Sequence, residues 1–245
     1  KIMNLIVLSQ MSIYEDMQKH CMLNKVSIHQ IMAVKTLPIN YDVAKIIDIL
    51  NGKINIVFQS KNAIDYSLEV HEQIKNNNKI KIYCLGKYSA RKIKETFFLE
   101  ALYPQKNYSS EKLLERIIEN SAINSKFLII KGQGGRTYLE EKIKENNHEV
   151  LVIDVYKREA ENLNSLKDLI KINMNNYFIV SSKIALENLV SKLKLIKSKN
   201  KNIVVVPNIR LIEGVSMEKI NDTVVINNNE EAMEYIRIIK EHNNG

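Results

Sequence analysis

A glycine-rich turn is the part of this sequence whose residue types and spacing most clearly suggest chemistry. Gly132, Gly134 and Gly135 account for three of the 7 glycines in the 245-residue chain, and they follow an apolar, strand-like segment at 127–130. Arg136 comes next and leads into an amphipathic helix pattern. Glycine permits a sharp strand-to-helix turn, the first amides of a helix attract anions, and arginine adds a planar charged fork. The motif matches no standard nucleotide fingerprint, so a tight turn without a ligand and an anion site both remain open.

Two Ser-Lys pairs repeat this arrangement elsewhere in the chain. Ser60-Lys61 and Ser182-Lys183 each follow a short apolar strand and begin a helix pattern. A further turn, from Gly86 to Ser89, also follows an apolar strand. Helix capping alone would explain either serine, whereas a hydroxyl, free amides and a lysine also form a generic anion site. Because the arrangement recurs, we favour a cleft built for a polyanion.

The composition limits the classes of function. The net charge of +8 is spread over a chain crowded with Lys, Asn and Ile, without a dense basic segment. This distribution weakens a nucleic-acid-binding hypothesis, as does the absence of a clustered aromatic platform. Cys21 and Cys84 have no spacing partner, and no His, Cys or acidic spacing predicts a metal site. No apolar run approaches the length of a membrane span, so we expect a soluble, cytoplasmic protein.

The order of the predicted elements indicates an α/β protein with parallel sheets. Strands of 4 to 6 apolar residues alternate with helix patterns along the chain, which is typical of right-handed βαβ units. Two segments lack this pattern, one around Pro38 and one after Tyr156, and about ten strands are too many for one compact sheet. We therefore predict two similar domains. The finer predictions include one strand over 27–34, one helix over 61–76 and one helix over 209–215.

The ordered motifs resemble the uroporphyrinogen-III synthase family over nearly the full length of the chain. That family shows an apolar strand with G-x-G-G-R-x-x-L, followed by a strand that ends in Tyr near Arg. The matching segments here are Leu128 to Arg136 with Leu139, Tyr156-Lys157-Arg158, Phe58-Gln59-Ser60, Gly86-Lys87-Tyr88-Ser89 and Ser181-Ser182. Two departures stand out: Ser9-Gln10-Met11 replaces the family's T-R-P, and Ile209 occupies the position of a threonine.

The resemblance implies two flavodoxin-like parallel-sheet α/β domains joined by a two-stranded linker. Residues 1–35 and 163–245 would form a discontinuous first domain and residues 41–155 the second, with linkers at 36–40 and 156–162. The active site is expected in the cleft between the domains.

The implied reaction is the cyclisation of hydroxymethylbilane, a polycarboxylate linear tetrapyrrole, to uroporphyrinogen III with inversion of ring D and loss of water. Tyr156 is the family-matched general acid, although a linker tyrosine that packs between domains would also explain it. The implied substrate-binding residues are Ser60, Lys61, Gly86, Ser89, Gly134, Gly135, Arg136, Ser182 and Lys183. The resemblance implies no cofactor, a monomer, and transient contact with the preceding enzyme of the pathway.

Two alternative functions remain at this point. One is a catalytically weakened module of the same fold that binds a tetrapyrrole without changing the isomer ratio. The other, less favoured, is a basic protein associated with nucleic acid, which would bind with a steep salt dependence.

Overall fold

The structure is a computed structural model that describes residues 3–9, 14–196, 200–227 and 231–245. The strands are β1 (Met3–Val7), β2 (Ser27–Gln30), β3 (Val34–Pro38), β4 (Asn55–Phe58), β5 (Lys81–Cys84), β6 (Ala101–Leu102), β7 (Lys126–Gly132), β8 (Glu149–Ala160), β9 (Asn175–Ile179), β10 (Lys201–Val206) and β11 (Asp222–Val225). The helices are α1 (Tyr14–Leu23), α2 (Val43–Leu50), α3 (Lys61–Asp65), α4 (His71–Asn76), α5 (Lys87–Phe97), α6 (Ser110–Asn120), α7 (Tyr138–Glu145), α8 (Leu166–Leu169), α9 (Lys183–Leu195) and α10 (Ala232–Asn244).

The chain divides into two compact units. Unit 1 contains the described residues up to Lys35 and from Glu159 onward, and unit 2 contains Thr36–Arg158. Each unit is built on its own mainly parallel sheet with helices in the connections, which confirms the predicted α/β class with two parallel-sheet domains.

Unit 1 is organised around a five-stranded parallel sheet in the order β11-β10-β9-β1-β2. Alternate residues of β1 enter different cores: Leu5 packs with α1 and α10, whereas Ile6 packs with α9. Both residues are fully buried. A parallel strand covered on both faces needs apolar residues at successive positions, which explains the uninterrupted apolar runs in this half of the sequence.

Unit 2 is organised around a six-stranded sheet in the order β3-β8-β7-β4-β5-β6. Its central strand β7 also divides its side chains between two cores. Leu128 and Ile130 pack with residues of α3 and α5, and Phe127 and Ile129 pack with residues of α6 and α7. The four parallel pairings from β8 to β6 bring the carboxyl ends of β4, β5, β7 and β8 to one edge of this sheet.

The chain passes between the units at Lys35/Thr36 and at Arg158/Glu159. The two passing segments are hydrogen-bonded neighbours: the Ile39 amide donates to the Val155 carbonyl at 3.0 Å, and the Glu161 amide donates to the Ala33 carbonyl at 3.0 Å. From Ala33 to Ile39 along the first segment, the hydrogen-bonded partner moves back from Glu161 to Val155, so the two segments run antiparallel. Strand β3 lies at the edge of its sheet, where Pro38 is tolerated without loss of an internal ladder hydrogen bond.

The predicted strand over 27–34 is wrong as a single element. Strand β2 ends at Gln30 and belongs to the sheet of unit 1, whereas β3 begins at Val34 and belongs to the sheet of unit 2. Continuous apolar character cannot reveal the point at which a chain leaves one sheet for another.

The predicted helices over 61–76 and 209–215 are also wrong in extent. A 3-10 turn at Leu68–Val70 separates α3 from α4, and the second segment forms only a 3-10 turn at Ile209–Ile212. At the first break, the Ser67 hydroxyl donates to the Ile64 carbonyl at 3.1 Å, so it occupies an acceptor that a continuing helix would use. No described helix combines the length and the apolar character that crossing a bilayer requires.

Candidate active site

The carboxyl edge of the unit 2 sheet gathers most of the residues that the sequence singled out. Ser60 follows β4, Gly86 follows β5, the glycine turn follows β7, and Tyr156 lies in β8 opposite Gly132. Loops at this edge of a parallel sheet are the usual position for ligands in α/β proteins.

The Tyr156 hydroxyl has two close polar neighbours. Its Oη lies 3.0 Å from Ser60 Oγ and accepts a hydrogen bond from Arg158 Nη2 at 2.9 Å. The ring is 2% exposed and packs against the Tyr66 ring, with 5.6 Å between centroids. Tyr66 is fixed in turn by Thr36, whose Oγ1 lies 2.8 Å from the Tyr66 hydroxyl. The phenol oxygen is therefore held by two side chains, Ser60 and Arg158, and the ring is held by Tyr66.

A bulge in β8 determines which way Tyr156 faces. Lys131 pairs with Asp154, but the next residue, Gly132, pairs with Tyr156, so one residue of β8 is extra. If side chains alternated strictly along β8, Tyr156 would lie on the same sheet face as Val152, which packs against the core formed with α6 and α7. The bulge instead turns Tyr156 into the core on the α3 and α5 face.

Gly132 makes room for the tyrosine ring. A Cβ atom on this residue would lie 2.4 Å from Tyr156 Cζ and 2.8 Å from its Oη, which is far inside van der Waals contact. The glycine here is thus required by the close approach of the ring, not by the turn alone.

The glycine turn itself is tighter than a direct strand-to-helix junction. Gly134 has a φ of +70°, and the Gly135 amide donates to the Gly132 carbonyl at 3.1 Å. Helix α7 begins at Tyr138, so Arg136 precedes the helix and lies mostly in solvent, with Nη1 4.0 Å from Glu111 Oε1. The turn leaves the guanidinium of Arg136 accessible to a soluble anion.

Ser60 is an N-cap as well as a neighbour of Tyr156. Its Oγ accepts the Ala63 amide at 3.1 Å at the start of α3, and Lys61 is exposed on the first turn. The structure thus joins Ser60 directly to Tyr156.

Two further predicted residues lie after the neighbouring strand β5. Gly86 is the N-cap residue of α5, and Ser89 is 9% exposed in the first turn of that helix.

The second Ser-Lys pair belongs to unit 1. The Ser182 Oγ caps α9 by accepting the Ala185 amide at 3.3 Å, which repeats the geometry at Ser60. Lys183 Nζ donates to the Glu213 carbonyl at 3.0 Å, and the hydroxyls of Ser9 and Ser181 lie 2.9 Å apart. Gln10, the first departure from the family pattern, lies outside the described residues, and Ile209, the second, is 52% exposed.

Neither cysteine is suited to nucleophilic chemistry. Burial raises the pKa of Cys84 to about 12, and burial raises the pKa of Cys21 to about 11, so both thiols stay protonated at neutral pH. Within the described ranges, no three His, Cys, Asp or Glu side chains gather in a way that could hold a metal ion.

Sequence reasoning left three residues out of the site. Arg158 and Tyr66 contact Tyr156, and Lys131 lies 6% exposed beneath the glycine turn, with its Nζ 4.0 Å from Glu140 Oε2. The spacing of two between Tyr156 and Arg158 on a strand was the available signal, because such residues share a face. Nothing in the sequence pairs Tyr66 with Tyr156, since that contact depends on tertiary packing.

The chain is similar to known proteins in its family match and in its fold. Residues 35–207 match the family model HEM4, described as uroporphyrinogen-III synthase HemD. The uroporphyrinogen-III synthetase from Helicobacter pylori is similar, with 12% identity, a TM-score of 0.61, and coverage of 98% of this chain and 100% of that one. A mutant uroporphyrinogen III synthase from Thermus thermophilus has 12% identity, a TM-score of 0.56 and 98% coverage of both chains. These identities support a shared fold alone, and no curated protein matches the sequence significantly.

Proposed function

Since this chain belongs to the uroporphyrinogen-III synthase family, an enzyme family of tetrapyrrole biosynthesis, we propose that Tyr156 is its catalytic acid. The reaction is the cyclisation of hydroxymethylbilane to uroporphyrinogen III, with inversion of ring D and loss of water. The observation that carries the proposal is the phenol oxygen of Tyr156, held between Ser60 Oγ at 3.0 Å and Arg158 Nη2 at 2.9 Å.

The acid step is a proton transfer from the phenol to the leaving hydroxyl. The Tyr156 O–H bond breaks as the proton moves to the hydroxymethyl oxygen, the carbon–oxygen bond breaks, and water departs. The substrate is left as a resonance-stabilised cation and Tyr156 as a phenolate. The cation bonds to the substituted carbon of ring D, and the bond from that carbon to its existing methylene bridge then breaks. The freed methylene bonds to the unsubstituted carbon of the inverted ring, and that carbon loses the proton that returns the phenolate to the phenol. A phenol hydroxyl carries the proton that a general acid donates.

The remaining predicted residues are proposed to bind the substrate carboxylates. In unit 2 these are Lys61, Gly86, Ser89, Gly134, Gly135 and Arg136, and in unit 1 they are Ser182 and Lys183. Lysine and arginine offer charge-assisted hydrogen bonds to carboxylates. Ser60 was predicted as a binding residue, but we assign it to holding Tyr156. Its oxygen already accepts the Ala63 amide, and its own hydrogen can be donated to the phenol oxygen 3.0 Å away.

We propose the same domain boundaries as the sequence indicated, with residues 1–35 and 163–245 in one domain, 41–155 in the other and linkers at 36–40 and 156–162. A monomeric, cytoplasmic enzyme that contacts the preceding enzyme of the pathway transiently is also part of the proposal. Gel filtration with light scattering tests the oligomeric state.

Steady-state kinetics of Tyr156→Phe test the catalytic role. We expect kcat for the type III isomer to fall about 100-fold, as loss of a general acid generally does, with little change in KM. Tyr177→Phe is the control, because it removes another buried phenol hydroxyl, one that lies 3.0 Å from His242 Nδ1 in unit 1. Wild-type turnover in Tyr156→Phe would exclude Tyr156 as the acid.

A further inference from the structure

Arg158 lies on the same face of β8 as Tyr156, two residues further along the strand. Its guanidinium carbon is 5.3 Å from the centroid of the Tyr156 ring, and its Nη2 donates to the phenol oxygen at 2.9 Å. The arginine is exposed, whereas the ring beneath it is buried. Arg158 therefore covers the solvent side of the tyrosine and contacts the atom whose proton the reaction would use.

The hydrogen-bond inventory around the phenol restricts where its proton can point. The Ser60 oxygen already accepts the Ala63 amide at 3.1 Å, and its own hydrogen is available for donation to Tyr156 Oη at 3.0 Å. Arg158 has only donors. When Ser60 and Arg158 both donate, the phenol oxygen accepts two hydrogen bonds, and its proton must point away from both partners. In this arrangement neither partner takes up the proton, which is left for donation to a third group.

The same two donors stabilise the product of the proton transfer. A phenolate oxygen carries a full negative charge, and hydrogen bonds to a charged oxygen are stronger than those to a neutral one. The guanidinium also brings a permanent positive charge to the oxygen, beside a ring that is shielded from water. The hydrogen bonds and the attraction to the guanidinium both strengthen as negative charge develops on the oxygen. They therefore stabilise the transition state more than the ground state, which is the condition for a contribution to kcat.

We propose that Arg158 is a positioning residue for Tyr156, which orients the phenol proton toward the leaving hydroxyl and stabilises the phenolate. This inference rests on the proposed function of Tyr156. It assigns to Arg158 a role that differs from binding a substrate carboxylate, because its effect passes through the tyrosine oxygen.

A double-mutant cycle separates these two roles. In the assay for type III isomer, we expect Arg158→Met to lower kcat about 10- to 100-fold with KM changed less than about threefold, as loss of a charge-assisted hydrogen bond in the transition state would. Arg158→Lys should restore part of the loss, since it returns a charge and a donor. In a Tyr156→Phe background, the same Arg158→Met change should cost less than about threefold, because its partner oxygen is already absent.

Two controls keep the cycle interpretable. Arg91→Met removes an exposed arginine whose ion pair with Glu95 lies on α5 at 2.8 Å, and its kcat should equal that of the wild type. Thermal unfolding of each variant establishes that the protein is folded.

The outcomes distinguish failure of the inference from failure of the proposed function. If wild-type protein forms no excess of type III isomer, the proposed function fails and this inference fails with it. If the wild type is active but the losses from Arg158→Met and Tyr156→Phe multiply, Arg158 acts independently of Tyr156 and only the inference is overturned. A rise in KM at constant kcat in Arg158→Met would likewise assign Arg158 to substrate binding.

Discussion

At the scale of single residues, the site depends on a fit between Gly132 and Tyr156. The ring occupies the space that any side chain at position 132 would fill, and the bulge beside it turns Tyr156 toward that space. Gly132, which the sequence analysis assigned to a tight turn or an anion site, is therefore also required for the packing of the proposed acid.

Gly132→Ala should displace Tyr156 and reduce activity. A Cβ placed 2.4 Å from Tyr156 Cζ forces the ring to move, so we expect type III formation to fall about 100-fold, as for loss of the acid itself. Overpacking should also cost about 1–3 kcal/mol of stability, measured as the free energy of unfolding in urea.

The matched control for this substitution is Gly52→Ala. A Cβ at Gly52 would have Ile49 O at 3.5 Å as its nearest atom, which is an ordinary contact. Its activity and stability should stay close to those of the wild type. Full activity in Gly132→Ala would mean that the position of Tyr156 is not important for turnover.

At the scale of elements, sequence reasoning succeeded where local chemistry decides the structure. The N-caps are an example: the hydroxyls of Ser60 and Ser182 each accept the amide three residues on, as short side-chain acceptors at helix starts do. It failed at the β8 bulge, which depends on pairing with β7, and at the break after α3, where the Ser67 hydroxyl occupies the Ile64 carbonyl. Tyr66 was missed because its contact with Tyr156 depends on tertiary packing, whereas the position of Arg158 two residues along the strand was a readable signal.

The break between α3 and α4 contains a histidine that should make stability depend on pH. His71 Nε2 lies 2.9 Å from the Ile64 carbonyl and 3.4 Å from Ser67 Oγ, and its ring meets Phe97 edge-on with centroids 4.7 Å apart. Burial lowers the pKa of His71, an effect that Lys92 reinforces and that the Ile64 carbonyl, Asp65 and Glu69 oppose.

Because the pKa of His71 is lower in the folded state than in the unfolded state, the unfolded chain binds more protons as the pH falls through about 6.5. The free energy of unfolding should therefore decrease from pH 7 to pH 5. His71→Gln retains a donor for the Ile64 carbonyl but cannot titrate, so its free energy of unfolding should decrease less steeply in urea titrations at each pH. His29 and His148, whose pKa values burial also lowers, should supply the slope that remains. Equal slopes in variant and wild type would contradict this role.

At the scale of the whole molecule, the two units have separate sheets and separate cores. The alternation of strands and helices predicted this organisation, because two parallel sheets require two series of βαβ connections. Sequence alone did not show that the patternless segment after Tyr156 continues strand β8 to Ala160, because a solvated strand has little apolar pattern.

Each unit should fold by itself. Unit 2 is one continuous segment, Thr36–Arg158. Unit 1 is discontinuous, but its two cut ends are neighbours: Lys35 Nζ lies 3.9 Å from Glu159 Oε2, and Ala33 and Glu161 share a backbone hydrogen bond of 3.0 Å. A two-residue Asn-Gly turn is the connection that antiparallel neighbours favour, so it should join Lys35 to Glu159 without strain.

Circular dichroism and urea unfolding of the two fragments test this expectation. We expect a single cooperative transition for residues 36–158 and another for the spliced unit 1. A matched fragment that ends at Asp154 removes Tyr156 and the end of β8, and it should unfold at a lower urea concentration than 36–158. Non-cooperative unfolding of the intact 36–158 fragment would contradict the division into two independently folding units.

The most direct test of the central claim is the isomer composition of the product. Hydroxymethylbilane is generated in situ, the protein is added at increasing concentration, and the oxidised uroporphyrins are separated into types I and III. The type I isomer forms without a catalyst, so we predict a type III fraction that rises with the amount of protein until it dominates. A mixture indistinguishable from the buffer blank at every protein concentration would contradict the assignment of this protein as a uroporphyrinogen-III synthase.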